Sequence, residues 1–354
     1  MMSQVRLALR RFYGRTMPLR YQLILQNLYK SIFLSHRPVV VEDVETRLPI
    51  TPDQIGDLLQ ALVETDQHRQ YFEVWQAKGF HVTANHFYQP IPDTSNLPVS
   101  LWQQKSALNG INMNAEQQLQ LLREAFSNFY EEYRQFPKQK TKDPTKFYFN
   151  NGAFGGTDAL VLYCMVRHFK PNLVVEVGSG YSTLVTLEAA RINENTRLVC
   201  VDPYPAPFLE PRRLGIQELH PHKVQDVNLD VFRRLESGDI LFIDTSHVVK
   251  IGSDVNYLFL NVLPLLKPGV IVHIHDIFFP NDYPREWVID QKIFWNEQYL
   301  LQAFLMYNSA FDVLFCNSYA AAHFMDDFKR VFPNSPWWGG GSFWMQRRGT
   351  PDIF

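Results

Sequence analysis

The chain has 354 residues, a net charge of −2, 46% hydrophobic and 20% charged residues. That balance suits one large or two smaller globular units with a sizeable core, and it provides no global field to favour nucleic acid or an anionic membrane. Cys164, Cys200 and Cys316 sit far apart in apolar segments and match no metal spacing, so they read as buried free thiols of a reducing compartment.

The first stretch carries Arg6, Arg10, Arg11, Arg15, Arg20 and Lys30 with no acid before Glu42. It reads as a solvated basic arm on a helical segment, with a membrane-surface or partner-binding role as the alternative. It lacks the apolar core of a signal peptide, and no apolar run in the chain is long enough to span a bilayer. A cytoplasmic location is therefore expected. Residues 1–145 read as a mainly helical N-terminal region that caps the site or serves oligomerisation. "TPDQIGDLLQALVETDQHRQYFEVW" opens on Thr51 as N-cap and Pro52 at the first helical position. "HFYQPIPDTSNLP" is an extended loop. "NAEQQLQLLREAFSNFYEEY" has helical spacing from Asn114, and "FPKQKTKDPTK" marks the boundary.

Residues 146–354 then alternate strand and helix. "TDALVLYCMVRHF" predicts a helix, "NLVVEVG" a strand, "STLVTLEAARI" a helix and "RLVCVDP" a strand. "HKVQ" predicts a short third strand, followed by the helix "NLDVFRRL", the strand "DILFIDT", the helix "SDVNYLFLNVLPLL" and the strand "GVIVHIHDI". "NEQYLLQAFLMY" is a helix, and "FDVLFCNSY" and "GSFWMQRR" are two final strands. Such alternation specifies an α/β fold whose mostly parallel sheet is covered on both faces. The segment from Ala320 to Gly341 is rich in Pro and Gly and unsuited to a crossover helix, so the last strand is expected to pair antiparallel.

The first strand runs into "EVGSGYST", in which Glu176, Gly178 and Gly180 form E-x-G-x-G between a strand and a helix. Glycine permits a sharp turn and close approach of a ligand. The following helix offers free N–H groups, and Ser182 and Thr183 can cap it. A dinucleotide motif needs G-x-G-x-x-G, and Thr183 stands at its third glycine. Asp202 ends the second strand, where an acid accepts hydrogen bonds from ribose hydroxyls.

On this motif, Asp202 and the strand order, the segment from about Asn150 onward resembles the class I S-adenosylmethionine-dependent methyltransferases. Within them it is similar to the small-molecule O-methyltransferases that include catechol and macrolide-sugar enzymes. The resemblance implies a seven-stranded Rossmann-like sheet with one reversed strand. It implies that Glu176, Gly178 and Gly180 hold the methionine end of S-adenosyl-L-methionine and Asp202 its ribose. It places Gln225 and Asp226 beside the adenine; Asp226 as the N-cap of the next helix is the alternative.

The chemistry resides at two neighbouring strand ends, "LFIDTSH" and "HIHDI". Asp244 and Asp276 should face one crevice, Asp244 beside the cofactor as well, with His247 and His275 close by. Paired carboxylates favour a proton or a cation. Members of the resembled branch hold a metal with acids at these positions. Here Ile277 follows Asp276 where the catechol type has Asn, and His275 replaces an acid of the cephalosporin-hydroxylase-like type. A set of Asp244, His275 and Asp276 suits Mn²⁺ or Fe²⁺ as well as Mg²⁺. In the metal-free alternative, His247 or His275 is the general base for a methyl-transfer displacement. His273 reads as a satisfied core histidine. Lys250, Asp254, Asp282, Tyr283, Arg285 and Trp287 are candidate pocket residues. Asn151 and Asp158 are candidates to close over the cofactor on a Gly155–Gly156 hinge, and "WWGGGSFW" either borders the acceptor pocket or simply enters the last strand.

The expected function is thus O-methylation of a small-molecule or sugar hydroxyl, with no nucleic-acid partner and a homo-oligomer as an option. The rivals are a metal-dependent oxygenase or hydrolase on the same scaffold and a non-catalytic cofactor- or glycan-binding protein. A nicotinamide dehydrogenase ranks behind them for want of the third glycine.

Overall fold

The computed structural model describes residues 51–64 and 69–349; the basic arm lies outside the described residues. The described chain divides into two units. One holds the chain up to Leu101 together with Arg285–Phe294, and the other holds Trp102–Pro284 and the chain from Trp295 onward. In the first unit, Thr51 caps the helix Pro52–Glu64 through its Oγ1, which accepts from the Gln54 N–H, while Gln54 Oε1 accepts from the Thr51 N–H. This reciprocal pair satisfies free donors of the first turn.

The second unit contains a seven-stranded sheet: β1 (Leu173–Val177), β2 (Arg197–Val201), β3 (Glu218–His220), β4 (Ile240–Ile243), β5 (Ile271–Ile274), β6 (Phe311–Cys316) and β7 (Phe343–Arg347). Their spatial order is β3-β2-β1-β4-β5-β7-β6. β7 runs antiparallel to both neighbours, and the pairs from β3 to β5 are parallel. β1 is buried along its whole length because helices cover both faces. Period-two alternation sorts the side chains. Val174, Leu198, Ile240, Phe242 and Trp344 join one core, with Leu160 and Leu184 from the helices Gly156–Phe169 and Tyr181–Asn193. Val175, Val199, Leu241, Val272 and Met345 join the other, with Leu258 and Leu301.

Several details differ from the sequence reading. Packing divides the chain near Leu101, because Leu122, Phe126 and Tyr133 from the stretch before 145 are buried in the first core. The third strand is Glu218–His220, where Leu219 pairs with Cys200; "HKVQ" instead enters a 3₁₀ turn, Val224–Asp226, anchored by buried Val224. The following helix, Asp230–Arg233, takes its first-turn bond from Asn228, whose Oδ1 accepts from the Asp230 N–H, and not from Asp226. Asn114 does begin a helix, Ala115–Gln120, but its side chain donates to the Val313 carbonyl of β6 at 2.9 Å. Between β6 and β7 the chain forms two short helices, Asn317–His323 and Met325–Val331, before Pro333.

Gly178 ends β1 with φ +85°, and a Cβ there would overlap the Asp244 carbonyl oxygen. The β1 and β4 ends therefore approach as closely as they do only because position 178 has no side chain. Gly180, with φ −179°, faces open space. Gly178→Ala should lower stability by about 3 kcal/mol or more, since rigid backbone must move. Gly180→Ala should change it by less than about 0.5 kcal/mol. Urea unfolding of the two variants checks the contrast; equal losses would contradict it.

Candidate functional site

The strand ends set the site. β1 passes through Glu176 to Gly178, β2 ends at Asp202, β4 runs into Asp244, and β5 runs into His275 and Asp276. In an open α/β sheet these carboxyl ends form the ligand crevice. Gly178 N–H donates to the Val201 carbonyl and Asp244 N–H to the Val177 carbonyl, so the three ends are locked together.

Around the glycine turn, Asp202 holds the loop. Its Oδ2 accepts from Ser179 N–H at 2.8 Å and Ser179 Oγ at 2.9 Å, and its Oδ1 accepts from Tyr204 N–H at 2.7 Å. Glu176 and Ser182 lie beneath the turn, where Ser182 Oγ donates to Glu176 Oε1 at 2.6 Å. Thr183, at the third glycine position of a dinucleotide motif, accepts from Gly180 N–H and closes the helix start. Gln225 donates to the Gly252 carbonyl at 2.9 Å, and Asp226 is exposed on its turn. Gly180 is thus the position where the turn opens onto free space, as a cradle for a bound ligand requires.

The second cluster is denser. Asp244, His247 and Asp276 each offer a donor atom, all within 4.8 Å of one another, the only such three-residue group among the described residues. His247 Nε2 lies 3.2 Å from Asp244 Oδ1 and 3.4 Å from Asp276 Oδ2. Donors at right angles on a cation with bonds of about 2.1–2.4 Å stand roughly 3.0–3.4 Å apart. On the other side of its ring, His247 Nδ1 meets Glu297 Oε2 at 3.0 Å; Glu297 is fully buried. A carboxylate in that place fixes the imidazole orientation and leaves Nε2 for the site. His247 and Asp276 have φ of +58° and +57°. Left-handed backbone at non-glycine residues is strained and concentrates at functional sites.

His275 stands beside this group, 6% exposed, with both ring nitrogens lacking a hydrogen-bond partner. Its Nδ1 is 3.5 Å from Asp276 Oδ2 and 3.7 Å from Asp244 Oδ1, and its Nε2 is 3.7 Å from Asp158 Oδ2. His273 lies deeper, stacked on Phe242; its Nε2 is bonded to Ser342 Oγ at 3.1 Å, and its buried Nδ1 has no hydrogen-bond partner, so it is only half satisfied.

Among the other candidates, Asp254 accepts from Ser246, Asp282 accepts from Tyr299, and Tyr283 Oη accepts from Gln298 N–H. Lys250 is exposed, and Arg285 and Trp287 belong to the other unit. The Asn151 amide ties down its own loop with four hydrogen bonds. Asp158 accepts from Asn317 Nδ2, Gly341 N–H and Ser342 N–H. Between them, Gly155 and Gly156 pack against the Trp337 ring. The Gly341 backbone lies against Asp276, where a Cβ would overlap it. "WWGGGSFW" thus braces the site as it enters β7. The sequence reading missed Glu297. It sits in "WNEQY", fifty residues after His247, and its only local signal was an acid at a helix start.

Electrostatics follow from this crowding. Burial alone would depress His247, but hydrogen bonds to Asp244 and Glu297 and the charge of Asp276 outweigh it and raise it to about 10. Burial likewise opposes ionisation of Asp244, yet His275 and His247 hold it below the usual carboxylate range. His275 is driven well above its ordinary value against burial, by Asp276 and Asp244, while burial keeps His273 neutral. The imidazoles therefore carry protons between carboxylates, and a dication at this place would take over that charge. The donor set and the unpartnered His275 nitrogens fit a divalent metal.

Glu176 is a separate case. Burial pushes it up to about 8, against the hydrogen bonds of Ser182 and Thr183. Its folded value exceeds its unfolded value of about 4.3, so stability falls as pH rises from about 4.3 to 8 and then levels. Glu176→Gln should remove that slope and gain a few kcal/mol at pH 8, at most about 5, with little change at pH 4. Urea unfolding at several pH values checks this; an unchanged slope would contradict it.

Residues 175–277 match a family model described as a methyltransferase domain. An uncharacterized protein of Archaeoglobus fulgidus is 32% identical over 169 residues, covering 44% of this chain and 74% of the relative. Among solved structures, an O-methyltransferase of Streptomyces achromogenes involved in tomaymycin synthesis is 14% identical, over 64% of this chain and 90% of that one, with a TM-score of 0.36. An O-methyltransferase of Bacillus cereus is 14% identical, over 67% and 98%, with a TM-score of 0.35. These two likenesses are too distant to carry an argument, and the archaeal relative names no activity; the family match carries it. With its glycine turn, Asp202 and sheet order in place, the chain carries a methyltransferase domain over residues 175–277.

Proposed function

We propose that the protein transfers a methyl group from S-adenosyl-L-methionine to a hydroxyl oxygen of a small molecule or sugar. The observation that supports this best is the convergence of Asp244, His247 and Asp276 at the strand ends next to the glycine turn. The turn and Asp202 would hold the cofactor, and the carboxylate cluster would hold the acceptor.

The cofactor supplies a methyl group on a positively charged sulfur, an electrophile that needs no further activation. A divalent cation held by Asp244, His247 and Asp276 would lower the pKa of an acceptor hydroxyl. The chain has three tasks. Asp202 accepts hydrogen bonds from ribose hydroxyls in place of those it now takes from Ser179 and Tyr204. The N–H groups of the turn and of the helix Tyr181–Asn193 would hold the cofactor's carboxylate end. Asp244, His247 and Asp276 orient the acceptor oxygen for in-line displacement, where correct geometry accounts for much of the rate. As the O–C bond forms and the C–S bond breaks, the hydroxyl proton leaves to a carboxylate of the cluster or to water.

Isothermal titration with S-adenosylhomocysteine should show one site per chain. Asp202→Ala should weaken it at least about tenfold, the cost of losing charge-assisted hydrogen bonds of 1.5–3 kcal/mol. Asp276→Asn should leave that binding within about threefold while lowering methyl transfer at least about 100-fold. A chain that does not bind the homocysteine product would overturn the reading.

A further inference from the structure

We infer that Asp158 is a positioning residue for methyl transfer: acting through Gly341, it holds Asp276 in the backbone conformation that presents its carboxylate at the crevice. The inference rests on the proposed function for the role of Asp276, and it adds a residue outside the acid cluster. Asp158 lies in the first turn of the helix Gly156–Phe169 and is 7% exposed. Its Oδ1 accepts from Asn317 Nδ2 at 2.8 Å and from Ser342 N–H at 2.9 Å, and its Oδ2 accepts from Gly341 N–H at 3.2 Å. A carboxylate buried so deeply is costly unless its oxygens are bonded, and both are. Two of the three donors are backbone groups of the loop entering β7.

That loop reaches Asp276 directly. Asp276 has φ +57°, a left-handed backbone that a non-glycine residue keeps only where its surroundings over-determine it. On one side, His275 N–H donates to the Ile243 carbonyl of β4 at 3.0 Å; on the other, Ile277 N–H donates to the Gly341 carbonyl at 2.8 Å. β5 ends at Ile274, so the second bond is the loop's contribution and not the sheet's. Gly341 also lies so close that a Cβ on it would stand 2.6 Å from the Asp276 Cα. A Cβ on Gly340, whose φ is +100°, would overlap Asp158 Oδ2. Gly340 thus makes room for one acid and Gly341 for the other, which accounts for the glycine run in this loop. Thr157 grips the same loop one step earlier: its Oγ1 donates to the Gly339 carbonyl at 2.6 Å and accepts from Gly339 N–H at 3.1 Å.

Three substitutions separate positioning from simple anchorage. Asp158→Asn keeps the shape and one acceptor oxygen. With that oxygen toward Asn317 and Ser342, an NH₂ group meets the Gly341 N–H, so only the link to Gly341 is cut. Gly341→Ala presses on Asp276 from the loop side and leaves Asp158 unchanged. Thr157→Val removes an equally buried contact to the loop, at Gly339, that involves neither Gly341 nor Asp276.

The test uses the full chain. Urea unfolding and calorimetric titration with S-adenosylhomocysteine are combined with initial rates of transfer from saturating ¹³C-methyl S-adenosylmethionine to a mixture of phenols and sugars. All three variants should bind S-adenosylhomocysteine within about threefold of the unaltered chain. Asp158→Asn and Gly341→Ala should lower the rate about 10- to 100-fold, because a small misplacement of an orienting group suffices for that. Thr157→Val should lower it less than about threefold while losing stability comparable to Asp158→Asn. Hydrogen exchange at the Ile277 amide, which reports the bond to Gly341, should speed up at least about tenfold in Asp158→Asn and less than about threefold in Thr157→Val. Equal rate losses in those two variants, or an Ile277 amide as protected in Asp158→Asn as in the unaltered chain, would overturn the inference. A chain that transfers no methyl group at all overturns the proposed function instead, and the Ile277 exchange still decides whether Asp158 holds Asp276.

Discussion

Two carboxylates held at the ends of neighbouring parallel strands are the constraint on which the rest of this site depends. Asp244 and Asp276 are placed by backbone: the β4–β5 register pairs Ile243 with Ile274, and the next residues emerge side by side at the crevice. Like charges at such spacing in a partly buried place repel strongly, so positive charge must be supplied. The chain supplies it with His247 and His275, and it spends buried polar groups to hold them there. Glu297, Asp158 and the left-handed backbone at His247 and Asp276 all serve that placement.

The glycine turn solves a different problem on the same edge of the sheet. Gly178 lets the Asp244 backbone approach β1, which draws the acid cluster toward the region where Gly180 opens to free space. One residue without a side chain thus sets the distance between the two halves of the crevice. Asp202, already accepting three hydrogen bonds, stabilises the turn in the absence of a ligand. Under the proposed function those bonds would exchange for others with a ribose, with little reorganisation.

Much of this was legible in the sequence. Alternating apolar segments gave the α/β class, and the stretch before the last strand pointed to its reversed direction, as the pairing of β7 with β5 and β6 shows. The strand-end acids were visible because Asp244 and Asp276 terminate apolar runs. Pairings across long separations were not. Glu297 meets His247 through a helix start fifty residues away, and Asp158 reaches His275 from a helix before the sheet. Nothing local marks either contact. The short third strand was misplaced for a related reason. With three residues at a sheet edge, its Glu218 and His220 look no different from loop, and only pairing with β2 defines it.

The most direct test of the account is where a transferred methyl group ends up. The protein would be incubated with S-adenosylmethionine carrying a ¹³C methyl group and a mixture of phenols, sugars and amines, and the products read by nuclear magnetic resonance. The account predicts label on a hydroxyl oxygen, and loss of transfer in Asp276→Asn with S-adenosylhomocysteine binding retained. Label on nitrogen or carbon, or an Asp276→Asn variant that transfers as well as the unaltered chain, would contradict it.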